Sequence, residues 1–393
     1  MPLIAYLLGT MRTILYSTLL ALGTVIATCP AAETPPAALL VLNKGDTTLA
    51  IVDPVAMKVV AQVPAGRDPH EVVASKGLAF ISNYGGNNTL SVVDLTAQKA
   101  LPAVDLGALH SPHGLSVADG KVYFTAEANK VIGSYDPTAQ KIDWLLGLGQ
   151  ERTHMIVVSP DAKKIYTSNV NSDTISLIER GSGPNGPGPW GPPGAAGPGG
   201  PPPGAPGDGR PPPGPPPGGP GGGFGAGPGP DGRGGPPPWG VGGGGWNATH
   251  VTVGKGPEGF DVSPDGKEVW AANSHDGTVS IIDVAKKSVV QSINVSTRSS
   301  NRLKFTPDGK YVFVSDLGGR ELVVVDASAR KEAKRIALGG GAAGILMQPD
   351  GPRAYVAVGS ENGITVIDLK TLEKVGHIET GPGPDGLGWA TKD

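Results

Sequence analysis

The chain has 393 residues, of which 62 are Gly and 40 are Pro, and its 32 basic residues nearly balance 35 acidic ones for a formal net charge of −3. That balance leaves no basic field for nucleic acid, and a single Cys excludes a disulfide framework and any CxxC zinc or redox site. The combined Gly and Pro share of about 26% borders on low-complexity composition, yet 38% of the chain is hydrophobic, so the average describes two different materials joined together.

The first element is an apolar run of 13 residues, 14–26 (ILYSTLLALGTVI), preceded by Arg12 and followed by the small residues Ala27, Thr28, Ala31 and Ala32. A basic flank, an apolar stretch and a small-residue exit form the secretory signal pattern. The run is short of the ~20 residues that a membrane span needs. Residues 1–32 are therefore expected to be a signal peptide, with Met11 as an alternative start, and 33–38 a short linker. Val25-Ile26-Ala27 and Cys29-Pro30-Ala31 both fit the cleavage rule. Ile26-Ala27-Thr28-Cys29 resembles a lipoprotein box, so lipidation at Cys29 stays open, as does an uncleaved anchor. The mature chain is expected in a bacterial periplasm or secreted, without a transmembrane span.

From residue 39 onward the chain repeats. A short apolar strand ending in an acid recurs at Asp53, Asp94, Asp136, Glu179, Asp283, Asp326 and Asp368, with spacings of 41, 42, 43, 104, 43 and 42. Each is followed by a turn with Lys or Gln, a β-branched strand such as KVVAQVPAG, and a hairpin built on a turn such as SPDGK. Four short strands per ~40–45 residues is the propeller signature. The recurrent acids read as turn caps, Asn83, Asn169 and Asn273 as residues tolerant of a left-handed turn, and the PDG triplets as hairpin turns.

The spacing of 104 contains residues 181–245, in which 51 of 65 positions are Gly or Pro and the charges Asp208, Arg210, Asp231 and Arg233 cancel. Pro lacks a ladder donor and Gly carries the largest ordering entropy, so this segment is expected to be disordered. Trp190, Phe224 and Trp239 are its only large apolar groups. It falls between the third and outermost strands of the fourth blade, on the face opposite the loops that enter the innermost strands. Residues 39–180 and 246–393 then form the two parts of one all-β, seven-bladed propeller of four-stranded blades. The last repeat stops short, and LLVLNKGDTTLAIVD at 39–53 supplies what it lacks, so N-terminal strands should complete the C-terminal blade and close the ring.

DGKYVFVSD, DGKEVWAANSHDGTVSIID and KIYTSNVNSDTISLIE resemble the YVTN-type β-propeller repeats of exported bacterial proteins, over nearly all of 39–392 outside the Gly/Pro segment. Glu127 and Gly359 depart from the pattern, standing near where the repeat carries Asn or Asp. The resemblance implies a fold and not a reaction.

The residue opening each innermost strand should face the channel near one mouth. The repeat places His70, His113, His154, Glu258, Asn301, Ala343 and Asp385 there, with Arg67, Arg152, Arg302 and His110 in the same loops. Three imidazoles at one mouth suit zinc or copper with an open coordination position, Glu258 or Asp385 serving as base. The same residues equally suit a metal-free ligand site, or polar side chains bonded to loop backbone. No GxSxG, Walker, dinucleotide or HExxH motif is present. Three functions stay open: an exported binding or scaffold protein, expected to be monomeric, taking a small ligand or protein partner at the mouth; a metal- or cofactor-dependent oxidoreductase subunit or lactonase-like hydrolase using His70, His113 and His154; and a surface protein that reaches out with its Gly/Pro segment.

Overall fold

The computed structural model describes residues 33–181 and 245–392. The expected signal peptide, Cys29 and the body of the Gly/Pro segment with Trp190, Phe224 and Trp239 lie outside the described residues. Among the described residues no helix is long and apolar enough to cross a membrane.

Seven four-stranded antiparallel sheets form a β-propeller. Blade 1 is a composite: Ala37–Asn43, Thr48–Asp53 and Lys58–Pro64 come from the N-terminal end, and the innermost strand Pro384–Thr391 from the other. The two ends pair antiparallel, with Leu39 opposite Trp389 and Val41 opposite Leu387. This is the closure expected from the truncated last repeat, and it removes the two sheet edges that an open ring would expose. Blades 2 to 7 begin with the innermost strands Pro69–Ser75, Pro112–Ala118, Thr153–Val158, Pro257–Val262, Ser300–Phe305 and Ala342–Met347, each running outward in sequence order except for chain closure in blade 1.

Burial explains the composition of the strands. Second and third strands are packed on both faces by neighbouring blades, so they read as continuous apolar runs; Leu78–Asn83 and Val92–Val93 are buried throughout their middles. Outermost strands are solvent-facing, as in Lys99–Asp105, and carry the charge. The apolar faces meet between blades, where Trp270, Phe313, Tyr355 and Phe124 are fully buried.

The recurrent acids behave as turn caps. The Oδ1 of Asp53, Asp94, Asp136, Asp326 and Asp368 each accepts the N–H groups two and three residues on. Glu179 breaks the series and pairs with Lys287 at 2.8 Å. The Asn residues differ from expectation. Asn83, Asn169 and Asn273 do not adopt positive φ. They are buried, and each amide spans to hydroxyls of the next strand: Thr89 and Ser91, Thr174 and Ser176, Thr278 and Ser280. Burial makes the bonded amide N–H groups the stabilising feature, while Asn273 Oδ1 accepts no bond.

In blade 4, Thr153 lies opposite Asn169, Asn169 opposite Thr174, and Thr174 opposite Thr252; at the other end Arg180 lies opposite Trp246. The segment between Gly181 and Gly245 therefore leaves from the end of the blade opposite His154, on the expected face. A hydrogen bond from Gly181 N–H to the Gly245 carbonyl closes its base.

Candidate functional site

Two concentric sets of residues build one mouth of the channel. The first is the second residue of each innermost strand: His70, His113, His154, Glu258, Asn301, Ala343 and Asp385. The second is the residue that leaves each second strand: Lys44, Tyr84, Glu127, Val170, Ser274, Leu317 and Gly359. Backbone geometry locks the sets together. The N–H of Lys44, Tyr84, Glu127, Val170, Ser274 and Leu317 each donates to the carbonyl two residues before its blade's first-set residue. The sequence pattern had located only the first set.

Hydroxyls on the second strands fix the spacing between blades. Thr125 accepts the Gly114 N–H and donates to the His154 carbonyl; Ser315 accepts the Arg302 N–H and donates to the Ala343 carbonyl. Glycine permits the close approach. A Cβ on Gly114, Gly259, Gly344 or Gly386 would come closer than 3.0 Å to the carbonyl of His154, Asn301, Asp385 or His70, the first-set residue of the next blade. Large residues therefore alternate with Gly around the hub: Glu71, Gly114, Met155, Gly259, Arg302, Gly344.

The three histidines stack. His70 and His113 have ring centroids 4.4 Å apart in an edge-on contact, and His113 and His154 lie 3.7 Å apart with planes 30° from parallel. Tyr84 packs edge-on against His113 at 5.1 Å. His154 is clamped by two carboxylates, with Nδ1 on Glu127 and Nε2 2.7 Å from Glu258. Tyr84 donates to Glu127 at 2.7 Å, and Arg152 reaches Glu258 at 3.2 Å and Glu127 at 3.8 Å. On the opposite side Lys44 donates to His70 Nδ1 at 2.6 Å and lies 3.3 Å from Asp68 and 3.4 Å from Asp385. Below them buried Arg302 pairs with Glu71.

Burial sets the charge states. It lowers the His70 pKa to about 4, Lys44 and Arg302 reinforcing it against Asp385, and it holds His113 well below the ordinary imidazole value, with His154 and His70 adding to the effect. For His154 burial acts in the same direction, but the hydrogen bonds to Glu127 and Glu258 outweigh it and raise the pKa. Glu258 is the complement: burial opposes ionisation, yet His154, Arg152 and Arg302 bring its pKa down to about 2. Burial and Glu127 push Tyr84 up to about 12. Burial thus disfavours the charged form at His70 and His113, while the two carboxylates favour it at His154.

A cavity of about 430 Å³ opens over this arrangement, bordered by His70, His113, His154, Arg152, Glu258, Asn301, Arg302 and Asp385 among others. Four buried polar atoms of residues that line it make no hydrogen bond within the protein: both ring nitrogens of His113, Asn301 Oδ1 and Arg302 Nη1. One donor atom from each of His113, Glu127 and His154 falls within 4.8 Å of the other two. Of the residues read from sequence, Arg67 and His110 are exposed on the loops and do not border the cavity, while Ala343 contributes only its methyl to the wall. Lys44, Glu71, Tyr84 and Glu127 were missed. The departures of Glu127 and Gly359 from the repeat were the sequence signals for this second set.

Fold and site together define a seven-bladed β-propeller with a histidine–carboxylate cluster at one channel mouth. Residues 247–390 match the model of a family described as "Lactonase, 7-bladed beta-propeller". That stretch carries Glu258, Asn301, Arg302 and Asp385, whereas the three histidines precede it. No curated protein matches the chain. Among solved structures it is similar to a functionally unknown protein from Desulfotomaculum acetoxidans DSM 771, at 10% identity and a TM-score of 0.63 over 91% of this chain and 99% of that one. It is also similar to Kuenenia stuttgartiensis hydrazine synthase, at 19% identity and a TM-score of 0.56 over 81% and 88% of the two chains. Dihydro-heme d1 dehydrogenase NirN in complex with DHE aligns at 16% identity and a TM-score of 0.56, over 90% of this chain and 66% of its own. These likenesses show the fold.

Proposed function

We propose that the channel mouth is the active site of a hydrolase acting on a small cyclic ester, in a protein exported from the cell. The reading rests on three residues with unpartnered buried polar atoms, His113, Asn301 and Arg302, lining one cavity of about 430 Å³. Polar atoms buried without partners are costly, and a bound polar molecule offsets that cost. The partial match to the lactonase model supports a lactone as the molecule, and the apolar run at 14–26 supports export. The YVTN-type repeats are compatible with either role at the mouth.

The roles follow from charge and position. Arg302 Nη1, cationic and buried, would donate to the lactone carbonyl and to the oxyanion that develops there. Asn301 Oδ1 would accept a ring hydroxyl. The wall formed by His113, His154, Glu127 and Glu258 would hold the attacking water and receive its proton. Water oxygen bonds to the carbonyl carbon, the ring C–O bond breaks, and the departing alkoxide takes up a proton to give a hydroxy acid. The test is acid release from a panel of five- and six-membered lactones. Turnover by the wild type, with kcat reduced on the order of 100-fold in Asn301→Ala or Arg302→Lys, is the expected result. Thermal stabilisation by a lactone without acid release would replace catalysis with a binding role; neither effect with any lactone would overturn the reading.

A further inference from the structure

We propose that His113, His154 and Glu127 hold a divalent first-row transition ion, zinc by preference, on the wall of the channel mouth. The site stands on geometry; only the use of the ion rests on the hydrolase reading, in which it would bind the attacking water.

The donor set comes first. Two imidazoles and one carboxylate, all buried, bring one donor atom each within 4.8 Å of the others. Ligands bonded at ~2.0–2.2 Å around a tetrahedral ion lie roughly 3.3 Å apart, so a small contraction assembles the site. His113 is free to make it. Neither of its ring nitrogens has a hydrogen-bond partner, and it is held only by packing between His70, Tyr84 and His154. Chelation widens the 30° angle between the His113 and His154 planes, and no hydrogen bond of His113 opposes that rotation.

The supporting shell is the second observation, and it is already in place. Ligating histidines donate their other ring N–H to a carboxylate, which fixes tautomer and orientation. Glu258 stands 2.7 Å from His154 Nε2, leaving Nδ1 as the nitrogen that faces Glu127. Glu258 is held in turn by Arg152 at 3.2 Å. The second oxygen of Glu127 accepts from Tyr84 at 2.7 Å, and the first, bonded to His154 Nδ1, would exchange that hydrogen bond for the ion. His113 and His154 also border the cavity, so the remaining coordination position opens toward a ligand, the arrangement of a catalytic rather than a structural zinc site. His70 is not one of the three donors: Lys44 occupies its Nδ1. It packs edge-on against His113 at 4.4 Å.

The experiment uses the full chain without a polyhistidine tag, stripped with chelator and titrated with Co²⁺ and then Zn²⁺. The expected result is one Co²⁺ per chain, visible bands of a four-coordinate nitrogen–oxygen site, and displacement by one Zn²⁺. His113→Asn and Glu127→Gln should each abolish the bands. Glu258→Gln, which leaves the ligands intact, should weaken affinity roughly 10- to 100-fold. His250→Ala and His377→Ala, remote from the mouth, should change nothing. Circular dichroism distinguishes lost binding from lost fold. Failure of the wild type to bind either ion overturns the proposal, as does unchanged binding in folded His113→Asn and Glu127→Gln. Lactone turnover by metal-free protein would remove the ion and leave the hydrolase; a bound ion without turnover would do the reverse.

Discussion

The ion pair under the cavity provides the sharpest energetic test. Arg302 has a side chain 6% exposed and Glu71 one 13% exposed, and they bond directly across the hub from blade 6 to blade 2. Removing one partner of a buried pair costs about 3–5 kcal/mol, because the other charge is left without compensation. In Glu71→Ala the guanidinium keeps the attraction of Asp385 and Glu258, so the lower end applies, about 3 kcal/mol. At roughly 2 °C per kcal/mol for a domain of this size, the melting temperature should fall by about 6 °C. Replacing both, as Glu71→Leu with Arg302→Met, removes both desolvation penalties and should restore stability to within about 1 kcal/mol of the wild type or exceed it. The single variants Glu71→Leu and Arg302→Met, each expected to cost about 3 kcal/mol, form a cycle with the double, with a coupling energy of about 5 kcal/mol. Urea unfolding followed by circular dichroism reads it directly, provided the denaturant slopes agree. If Glu71→Ala costs less than about 1 kcal/mol, the value of a surface pair, or if the double variant equals the sum of the singles, the pair is not a buried one and the account of the hub is wrong.

Gly259→Ala should destabilise by about 1–3 kcal/mol, since its Cβ meets the Asn301 carbonyl and the Arg302 Cα. Gly147→Ala, where a Cβ meets nothing within 4 Å, should be neutral or stabilising in the same urea assay; equal costs for the two would refute the close-packed hub. Acid should unfold the protein through its turns. Asp265 is held near a pKa of about 2 by the Ser263 hydroxyl and by Lys267, and Asp136, Asp308, Asp326 and Asp368 are likewise lowered. A carboxylate with a depressed folded-state pKa adds stability above its unfolded value, and that contribution disappears as pH falls toward the folded one. Thermal melts should therefore decline between pH values of about 4 and 2, less steeply for Asp265→Asn; a flat profile over that range would contradict the turn assignments. Deleting 182–244 should leave the melting temperature unchanged or higher and metal binding intact, because Gly181 and Gly245 are already hydrogen-bonded at the far end of blade 4 from His154. An unfolded deletion variant would refute that.

The repeat made the ring legible before any coordinates. Each acid cap is local, so Asp53 or Asp368 can be read from a few residues around it. Closure followed from one truncated unit, since unpaired strand edges leave few alternatives. The first set of mouth residues followed from register, which a strand preserves with a period of two. The second set obeys a different rule. Tyr84 and Glu127 reach the histidines of neighbouring blades, across 43 residues for Tyr84 to Glu127 and 27 for His154 to Glu127, and no spacing within one repeat encodes a contact between two repeats. The role of Asn83, Asn169 and Asn273 was misread for a related reason: the hydroxyls they bind sit on the adjacent strand, so only pairing shows that the amide N–H groups are buried and bonded across strands.

This division explains why the fold is so plain and the chemistry so hidden. The blades need the same turns, the same anchors and the same apolar middles, and these consume almost all of each unit. What differs is two residues per blade, one at the start of the innermost strand and one after the second strand. Blades 2 to 4 spend them on His70, His113, His154, Tyr84 and Glu127, and the later blades with the closing strand on Glu258, Asn301 and Asp385. The stretch that matches the lactonase model contains the second group and not the first. In the proposed reaction the matched stretch supplies Asn301 and Arg302 for the hydroxyl and the carbonyl, and the histidine wall comes from the blades before it. The substitutions that remove the ion's ligands fall on that wall, and those that test turnover fall on Asn301 and Arg302 in the matched stretch.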